Sequence, residues 1–424
     1  MNFYKISDKI FILLWIIFII CCSKMAVADE KPIPVSPAEI KSLPSTQTET
    51  GPSTIITPSN KLNRNAIGCV LPLSGQYAVW GNKALDAILL SAGIFDKENK
   101  TSVDVIVEDS GGLPEKTKAA IAHLANDNNV IAIIAVTETA EAFEAAREAN
   151  KWKVPIILIT SREGVTSAGE YVFQHFLIPT QEIKALVQYA YDDLNCAIFS
   201  ILYPQDDYGE QMEKIFREEV TNIGGKVEKA VPYNRKQTDF ADEINKLTGL
   251  IVNSKVKANK NGNQEPASLS FEALFIPDSY SRVKMITSQL DFYDVRGFKL
   301  LGTSLWHSPE LMKNSAEYLD GAIFADSFFV NGYYQETINF VDAYYAAYSR
   351  EPESIEALSF DTAGMILSIL KNKNVQTRPD LAVGLIKMEN YNGATGNIYF
   401  DSNRVSQKTP FILIVKDKKF EQVR

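Results

Sequence analysis

Hydroxyl, carboxyl and guanidinium side chains at the ends of short apolar runs are the groups of this chain that could do chemistry. The apolar run at residues 130–136 leads into Thr137-Glu138-Thr139-Ala140-Glu141. Thr139 is placed to cap a following helix, so that its hydroxyl and the free N–H groups of the first turn form an anion site. The alternative is that Thr139 only caps its own helix while Glu141 settles in the first turn. The next run, residues 155–159, ends in Thr160-Ser161-Arg162-Glu163-Gly164. Arg162 could grip a carboxylate or a phosphate with both arms of its fork, or pair with Glu163 or Glu170. Asp206 and Asp207 look like paired carboxylates, but they stand where a helix begins, and acids are favoured there for capping and dipole reasons alone. Asp278 follows another apolar run and could present its charge to a cleft or cap a helix starting near Ser279.

Other chemistries find no support. His123, His175 and His307 are far apart with no ligand spacing, whereas a zinc site needs three or four convergent ligands. There is no Gly-x-Ser-x-Gly elbow, phosphate-binding Walker loop or dinucleotide fingerprint. No metal, cofactor or catalytic residue is therefore expected.

The elements that must position these groups follow a regular alternation. Residues 66–71 are an unbroken apolar run that reads as a strand buried on both faces of a parallel sheet. Pro72, Ser74 and Gly75 turn the chain, and from Gly81 the spacing of Ala84, Leu85, Ile88, Leu89 and Ala92 predicts a helix packed on that sheet. Tyr77 and Trp80 then sit at the carboxyl end of the strand, where open α/β sheets bind ligands. Further strands are expected at 103–107, 130–136 and 155–159. A second series starts near Pro179, with strands at 197–203, 226–231, 273–276 and 299–301 and helices between them. Late helices are expected at 310–318, 337–348 and 355–370, and late strands at 397–400 and 411–415. Strand and helix in turn, with short connections, imply doubly wound parallel sheets with right-handed crossovers. A polar stretch at 253–268 reads as a surface loop.

Pro-Leu-Ser-Gly followed by Tyr77 and by Trp80-Gly81 resembles the first strand, loop and helix of type I periplasmic solute-binding proteins, the leucine/isoleucine/valine-binding family. Asp207-Tyr208-Gly209 and Thr238-Asp239-Phe240 resemble two later landmarks in the right order. The resemblance implies an α/β fold of two doubly wound parallel-sheet lobes joined by a three-strand hinge. It places lobe 1 at residues 63–178 and 306–390 and lobe 2 at 179–305 and 391–424, with crossings near 177–180, 302–306 and 391–396. It implies that Tyr77, Trp80, Thr139, Thr160 and Ser161 line the cleft from one wall and Tyr208 from the other. Where amino-acid binders of the family place an acid for the ligand ammonium, this chain has Ser304, so either Asp278 takes that role or the ligand is not a free α-amino acid. The implied function is capture of a small polar solute for an inner-membrane ABC transporter permease. Residues 160–164, 173–179 and 275–306 also resemble the penicillin-binding protein activator branch, which implies the alternative of an envelope interaction module acting on a peptidoglycan synthase.

Composition agrees with a protein of this kind. A chain of 424 residues is too long for one ordinary core, and 46% hydrophobic content supports large ones. The net charge of −9 argues against nucleic acid as partner, because no excess of Lys and Arg exists to release counterions. Residues 1–28 read as an export signal: Lys5 and Lys9, the apolar stretch 10–20, and Ala26-Val27-Ala28 as the cleavage site. That places the protein in the periplasm. Cys22 or Cys21 is a candidate lipid-attachment site. Residues 29–62, rich in Pro, Ser and Thr, read as a disordered linker. Cys69 and Cys196 are expected to be separate buried thiols.

Overall fold

A computed structural model describes residues 61–95, 103–249, 269–313 and 316–424. The signal segment, nearly all of the linker, Cys21, Cys22 and the stretch 253–268 lie outside the described residues. The described residues form one compact unit. Among the described residues no helix is long and apolar enough to cross a membrane.

The chain begins with β1 (Asn63–Leu71), α1 (Ala78–Ser91), β2 (Asp104–Asp109), α2 (Pro114–Asn126), β3 (Val130–Val136), α3 (Thr139–Lys151), β4 (Ile156–Ile159) and β5 (Val172–Gln174). These strands form one parallel sheet in the order β2-β1-β3-β4-β5. β3 reads Val-Ile-Ala-Ile-Ile-Ala-Val and is buried at every position, as a central strand covered on both faces must be. Because successive side chains point to opposite faces, Ile67, Cys69 and Leu71 meet α1 through Ala84 and Ile88. Ala66 and Val70 meet α2 and α3 on the other side through Ile121, Leu124, Ala142 and Ala146. Burial pushes the Cys69 thiol up to about 12. Cys69 and Cys196 are both free and buried, in the cores of different lobes.

After β5 the chain leaves lobe 1. α4 (Pro179–Asp192), β6 (Ile198–Pro204), α5 (Asp207–Asn222), β7 (Lys226–Tyr233), α6 (Ala241–Thr248), β8 (Ala273–Phe275), α7 (Tyr280–Phe292), β9 (Lys299–Gly302), α8 (Ala316–Leu319) and β10 (Ile323–Asp326) follow. α9 (Gln335–Tyr348), α10 (Ser354–Leu370), α11 (Arg378–Ile386), β11 (Tyr391–Gly393), β12 (Gly396–Phe400) and β13 (Ser406–Gln407) return to lobe 1, and β14 (Phe411–Lys416) and β15 (Lys419–Gln422) end the chain. The lobe-2 sheet runs β15-β14-β10-β9-β8-β6-β7, parallel from β7 to β10 and antiparallel from β10 to β15. α4 and α5 cover one face through Leu186, Val187, Met212 and Phe216; α6 and α7 cover the other through Ile244, Leu247, Val283 and Ile286.

Two expected crossings move. The chain does not leave lobe 2 at residues 302–306, because β10 still pairs with β9 (Ile323 opposite Leu301), and the crossing follows Asp326. Nor does it leave lobe 1 at 391–396: Ile398 and Phe400 pack with Leu71 and Ile366 in the lobe-1 core, and the return to lobe 2 falls between β13 and β14. Short apolar strands read alike in either sheet, so pairing partners set these boundaries, and only the fold supplies partners.

Both lobes turn from strand into helix by the same device. A Cβ on Gly81 would lie 2.2 Å from the Pro72 carbonyl oxygen, and one on Gly209 would lie 1.9 Å from that of Pro204. Only glycine lets the first turns of α1 and α5 approach the strand ends this closely, which fixes the loops carrying Tyr77, Trp80 and Tyr208. Replacing Gly209→Ala is expected to cost roughly 2 kcal/mol of unfolding free energy in urea denaturation, since backbone must shift to admit the methyl group. A loss below about 0.5 kcal/mol, the range of a neutral surface change, would contradict this packing.

Candidate functional site

The lobe-1 candidates stand at the carboxyl ends of β1 to β4. Asp109, closing β2, accepts hydrogen bonds on Oδ1 from the N–H groups of Leu73 (2.8 Å), Ser74 (3.1 Å) and Gly111 (2.8 Å), which ties the turn after β1 to β2. Burial works to raise its pKa, but these bonds and the Ser74 hydroxyl hold it below the usual range. On that loop the Tyr77 and Trp80 rings stack at 5.8 Å between centroids and 28° between planes. Trp80 is 50% exposed, an unusual position for so large an apolar surface.

After β3, Thr139 is exposed, and it is not the cap. Glu138 is the N-cap of α3 and Thr139 its first helical residue. Glu141 takes over satisfaction of the helix start: its Oε2 accepts the Glu138 N–H at 3.2 Å, and its Oε1 accepts the Thr117 hydroxyl at 2.6 Å. Burial, and then the charge of Glu141, raise the Glu138 pKa. Sequence reasoning passed over Thr137, whose hydroxyl is buried at the end of β3 with no hydrogen-bond partner.

After β4, Thr160 is buried, and its hydroxyl accepts the Arg162 N–H at 3.3 Å, while Ser161 is exposed. Arg162 takes neither expected acid as partner; its guanidinium lies 5.4 Å from the centre of the Phe143 ring, a cation–π contact. Glu163 instead reaches across to lobe 2, where its Oε1 accepts the Thr180 N–H (3.4 Å) and hydroxyl (3.2 Å).

In lobe 2 the three candidates follow the carboxyl ends of β6, β8 and β9. Asp206 caps α5 by accepting the Gly209 N–H at 2.8 Å and pairs with Arg235, and Tyr208 in the first turn is half-buried. Asp278 is buried and accepts the Tyr233 hydroxyl (2.6 Å) and the Ser279 N–H (2.6 Å), while Ser279 caps α7. Ser304 donates its N–H to Glu182 at 2.5 Å. Buried Glu182 lies beside Ser304 and Tyr208, and sequence reasoning missed it, because an acid in the first turn after Pro179 reads as a helix-dipole partner. Tyr208 is pushed upward by burial first and by the Glu182 charge second, with Asp278 and Asp206 adding to it. Thr303 is buried, and its hydroxyl lies beside Tyr208 and works against the rise. Burial, reinforced by Asp326, raises Glu182 to about 7 against the opposing bond from Ser304.

The Glu163–Thr180 contact joins the loop of Thr160 and Ser161 to the helix that carries Glu182. The three histidines are dispersed: His123 meets Glu108, His175 meets Thr362 and His307 meets Asp326. Among the described residues no three His, Cys, Asp or Glu side chains are grouped to hold a metal ion.

A family model described as periplasmic binding protein matches residues 66–418. No curated protein sequence matches the chain. Among solved structures, a putative branched-chain amino acid ABC transporter from Rhodospirillum rubrum is similar with a TM-score of 0.75 and 19% identity, over 85% of this chain and 100% of that one. The branched-chain amino acid transporter substrate-binding protein LivJ from Streptococcus pneumoniae in complex with isoleucine gives 0.61 and 20%, over 85% and 99%. A solute-binding protein of an ABC transporter from Rhodopseudomonas palustris in complex with 3,4-dihydroxybenzoic acid gives 0.61 and 19%, over 84% and 95%. At these identities the likeness carries the fold alone.

The raised pKa of Glu182 has a definite consequence for stability. The folded state holds this proton more tightly than the unfolded chain, so the contribution is full below the ordinary value of 4.5 and is lost as pH rises through about 7. Glu182→Gln keeps an oxygen for the Ser304 N–H and removes the ionisation. In urea denaturation the variant is expected to lose less stability than wild type between about pH 4.5 and pH 7, and to exceed it at pH 8 by roughly 2–3 kcal/mol. Parallel pH profiles would contradict the assignment.

Proposed function

The chain belongs to the periplasmic binding protein family, and on that premise we propose that it captures a small polar solute, an amino acid or related compound, between its lobes for an inner-membrane ABC transporter permease. The carrying observation is buried Glu182, which accepts the Ser304 N–H and lies beside Tyr208, on the helix that touches the hydroxyl-bearing loop of lobe 1. In this reading Trp80, backed by Tyr77, and Tyr208 close on the solute from opposite walls. Thr139, Thr160 and Ser161, with the orphan hydroxyl of Thr137, hold its acidic end beside the start of α3.

Glu182, with Asp278 behind Tyr233, supplies the negative end that Ser304 alone does not. An arriving ammonium group would draw the raised Glu182 pKa back down and would gain a charge-assisted hydrogen bond in return. The similar structures bind isoleucine in one case and 3,4-dihydroxybenzoic acid in another. Both ligands carry a carboxyl group, and only the first carries an ammonium, so the buried acid of this chain favours the first kind. Binding then works by closure: solute touches both walls only when the lobes approach, and that difference in contact shifts the population toward the closed form. In this reading the export signal expected at residues 1–28 takes the protein to the periplasm, with a lipid anchor at Cys22 or Cys21 as an option, and nothing in the role requires chemistry on the solute.

The test is a screen of amino acids, small peptides and carboxylates by thermal shift, with small-angle scattering of the hits. At least one ammonium-bearing compound is expected to raise Tm and contract the protein, and Trp80→Ala or Glu182→Gln to weaken it about 10- to 100-fold. Silence across all three classes, or recovery of a peptidoglycan synthase rather than transporter subunits in a pull-down from envelope extract, would turn the reading toward an interaction module.

A further inference from the structure

A cavity of about 230 Å³ opens in lobe 2 at the amino ends of β9 and β10, between the end of α7 and the turn after α8. It is not part of the cleft. Lys299 opens β9, and Ser304 follows the other end of that strand, about 16 Å away along an extended chain. The floor is apolar: Leu290, Val295 and Ala322 are buried, with Phe298 and Leu300 half-buried beside them. Thr287, also in the floor, spends its hydroxyl on the Val283 carbonyl at 2.9 Å. Gly297 and Gly321 line the mouth with left-handed backbone, and no atom lies within 4 Å of where a Cβ would stand on either, so the two turns leave the mouth open.

The rim is charged, and its charges divide into two kinds. Asp291 and Arg296 are spent on each other at 2.6 Å, with Asp294 at 3.2 Å from the same guanidinium. Lys299 and Asp320 make no ion pair among the described residues, although the Asp320 carboxylate accepts the Asp417 N–H at 3.3 Å. β9 and β10 run parallel with Leu301 opposite Ile323, so Lys299 and Gly321 stand on neighbouring strand starts, and Asp320 directly precedes Gly321. The mouth therefore presents one ammonium and one carboxylate, too far apart to pair with each other, over an apolar floor. Tyr318 adds an exposed ring to the same rim.

We propose that this cavity is a ligand site separate from the cleft, and that it takes a small zwitterion with an apolar side chain, an α-amino acid. The ligand ammonium lies against Asp320, its carboxylate against Lys299, and its side chain on the floor of Leu290, Val295 and Phe298. Each charge of the ligand meets an opposite charge that the protein leaves without an ion pair, and the floor rewards burial of the remainder. Asp291 and Arg296 neutralise each other, so they add nothing that would select a purely anionic or purely cationic ligand. At about 230 Å³ the cavity is smaller than the range of about 300–1,000 Å³ that drug-sized ligands occupy, which suits a compact molecule of this kind.

The test is methyl NMR of the full chain titrated with L-phenylalanine, whose ring shifts the methyl signals that it covers. Leu290, Val295 and Leu300 report the cavity, and Leu305, exposed next to Ser304, reports the cleft. The cavity methyls are expected to shift saturably, with half-saturation near about 1 mM for a ligand of this size, and to do so equally in Trp80→Ala. Lys299→Gln and Asp320→Asn, both at exposed positions, are each expected to weaken this binding at least about 3-fold. Phenethylamine and 3-phenylpropionate, which lack one charge each, are expected to bind more weakly than L-phenylalanine by at least the same factor. Failure of the cleft reading alone would silence Leu305 and leave the cavity shifts in place. Cavity methyls unmoved at about 10 mM, shifts lost in Trp80→Ala and so relayed from the cleft, or either charge variant within about 3-fold of wild type overturns the proposal.

Discussion

A carboxylate removed from water must be neutralised, surrounded by donors or met by a cation, and Glu182 is held at the boundary of all three. Burial brings it to about 7, the Ser304 N–H at 2.5 Å steadies its charged form, and Asp326 opposes that form. The elements that carry the lobe-2 wall end around this group. α4 supplies it, β9 brings the Ser304 N–H and the Thr303 hydroxyl, and Tyr208 arrives on the first turn of α5. Because Thr180 stands two residues earlier on α4 and receives Glu163 from lobe 1, the same helix start also touches the opposite wall.

The two lobes use one construction. In each, a buried parallel strand ends at a proline whose carbonyl is approached so closely by the following helix that only glycine fits, at Gly81 and at Gly209. That construction fixes an aromatic side chain at the carboxyl edge of each sheet, where the strands deliver their other polar groups as well. Rigid walls and a movable junction are then separate problems. The walls are apolar and closely packed behind the site, whereas the junction is built from buried polar and charged groups of both lobes.

Much of this was legible in the sequence because burial on both faces leaves a strong signature. β3 is apolar at all seven positions, and the helix after Gly81 shows its core-facing side in its spacing. What stayed hidden depended on partners far away in the chain. Ile323 and Ile398 look alike as strand residues, and the lobe that each joins is decided by pairing with β9 in one case and packing beside Leu71 in the other. Thr139 was passed over as cap in favour of Glu138 because Glu141, anchored by Thr117 from α2, reaches back to the Glu138 N–H. Arg162 found an aromatic face on α3 rather than an acid nearby in sequence. Glu182 is buried in the lobe-2 wall, yet as an acid in a first turn it is indistinguishable from an ordinary capping residue.

The most direct measurement is a crystal structure of the protein purified from its native source, with whatever solute it retains. The account predicts density for one small molecule between the lobes, with a cationic group within hydrogen-bonding distance of the Glu182 carboxylate, its acidic end among Thr139, Thr160 and Ser161, and Trp80 and Tyr208 against its flanks. A solute seated elsewhere on the molecule, or one in the cleft that leaves Glu182 bonded only to the protein, would contradict it.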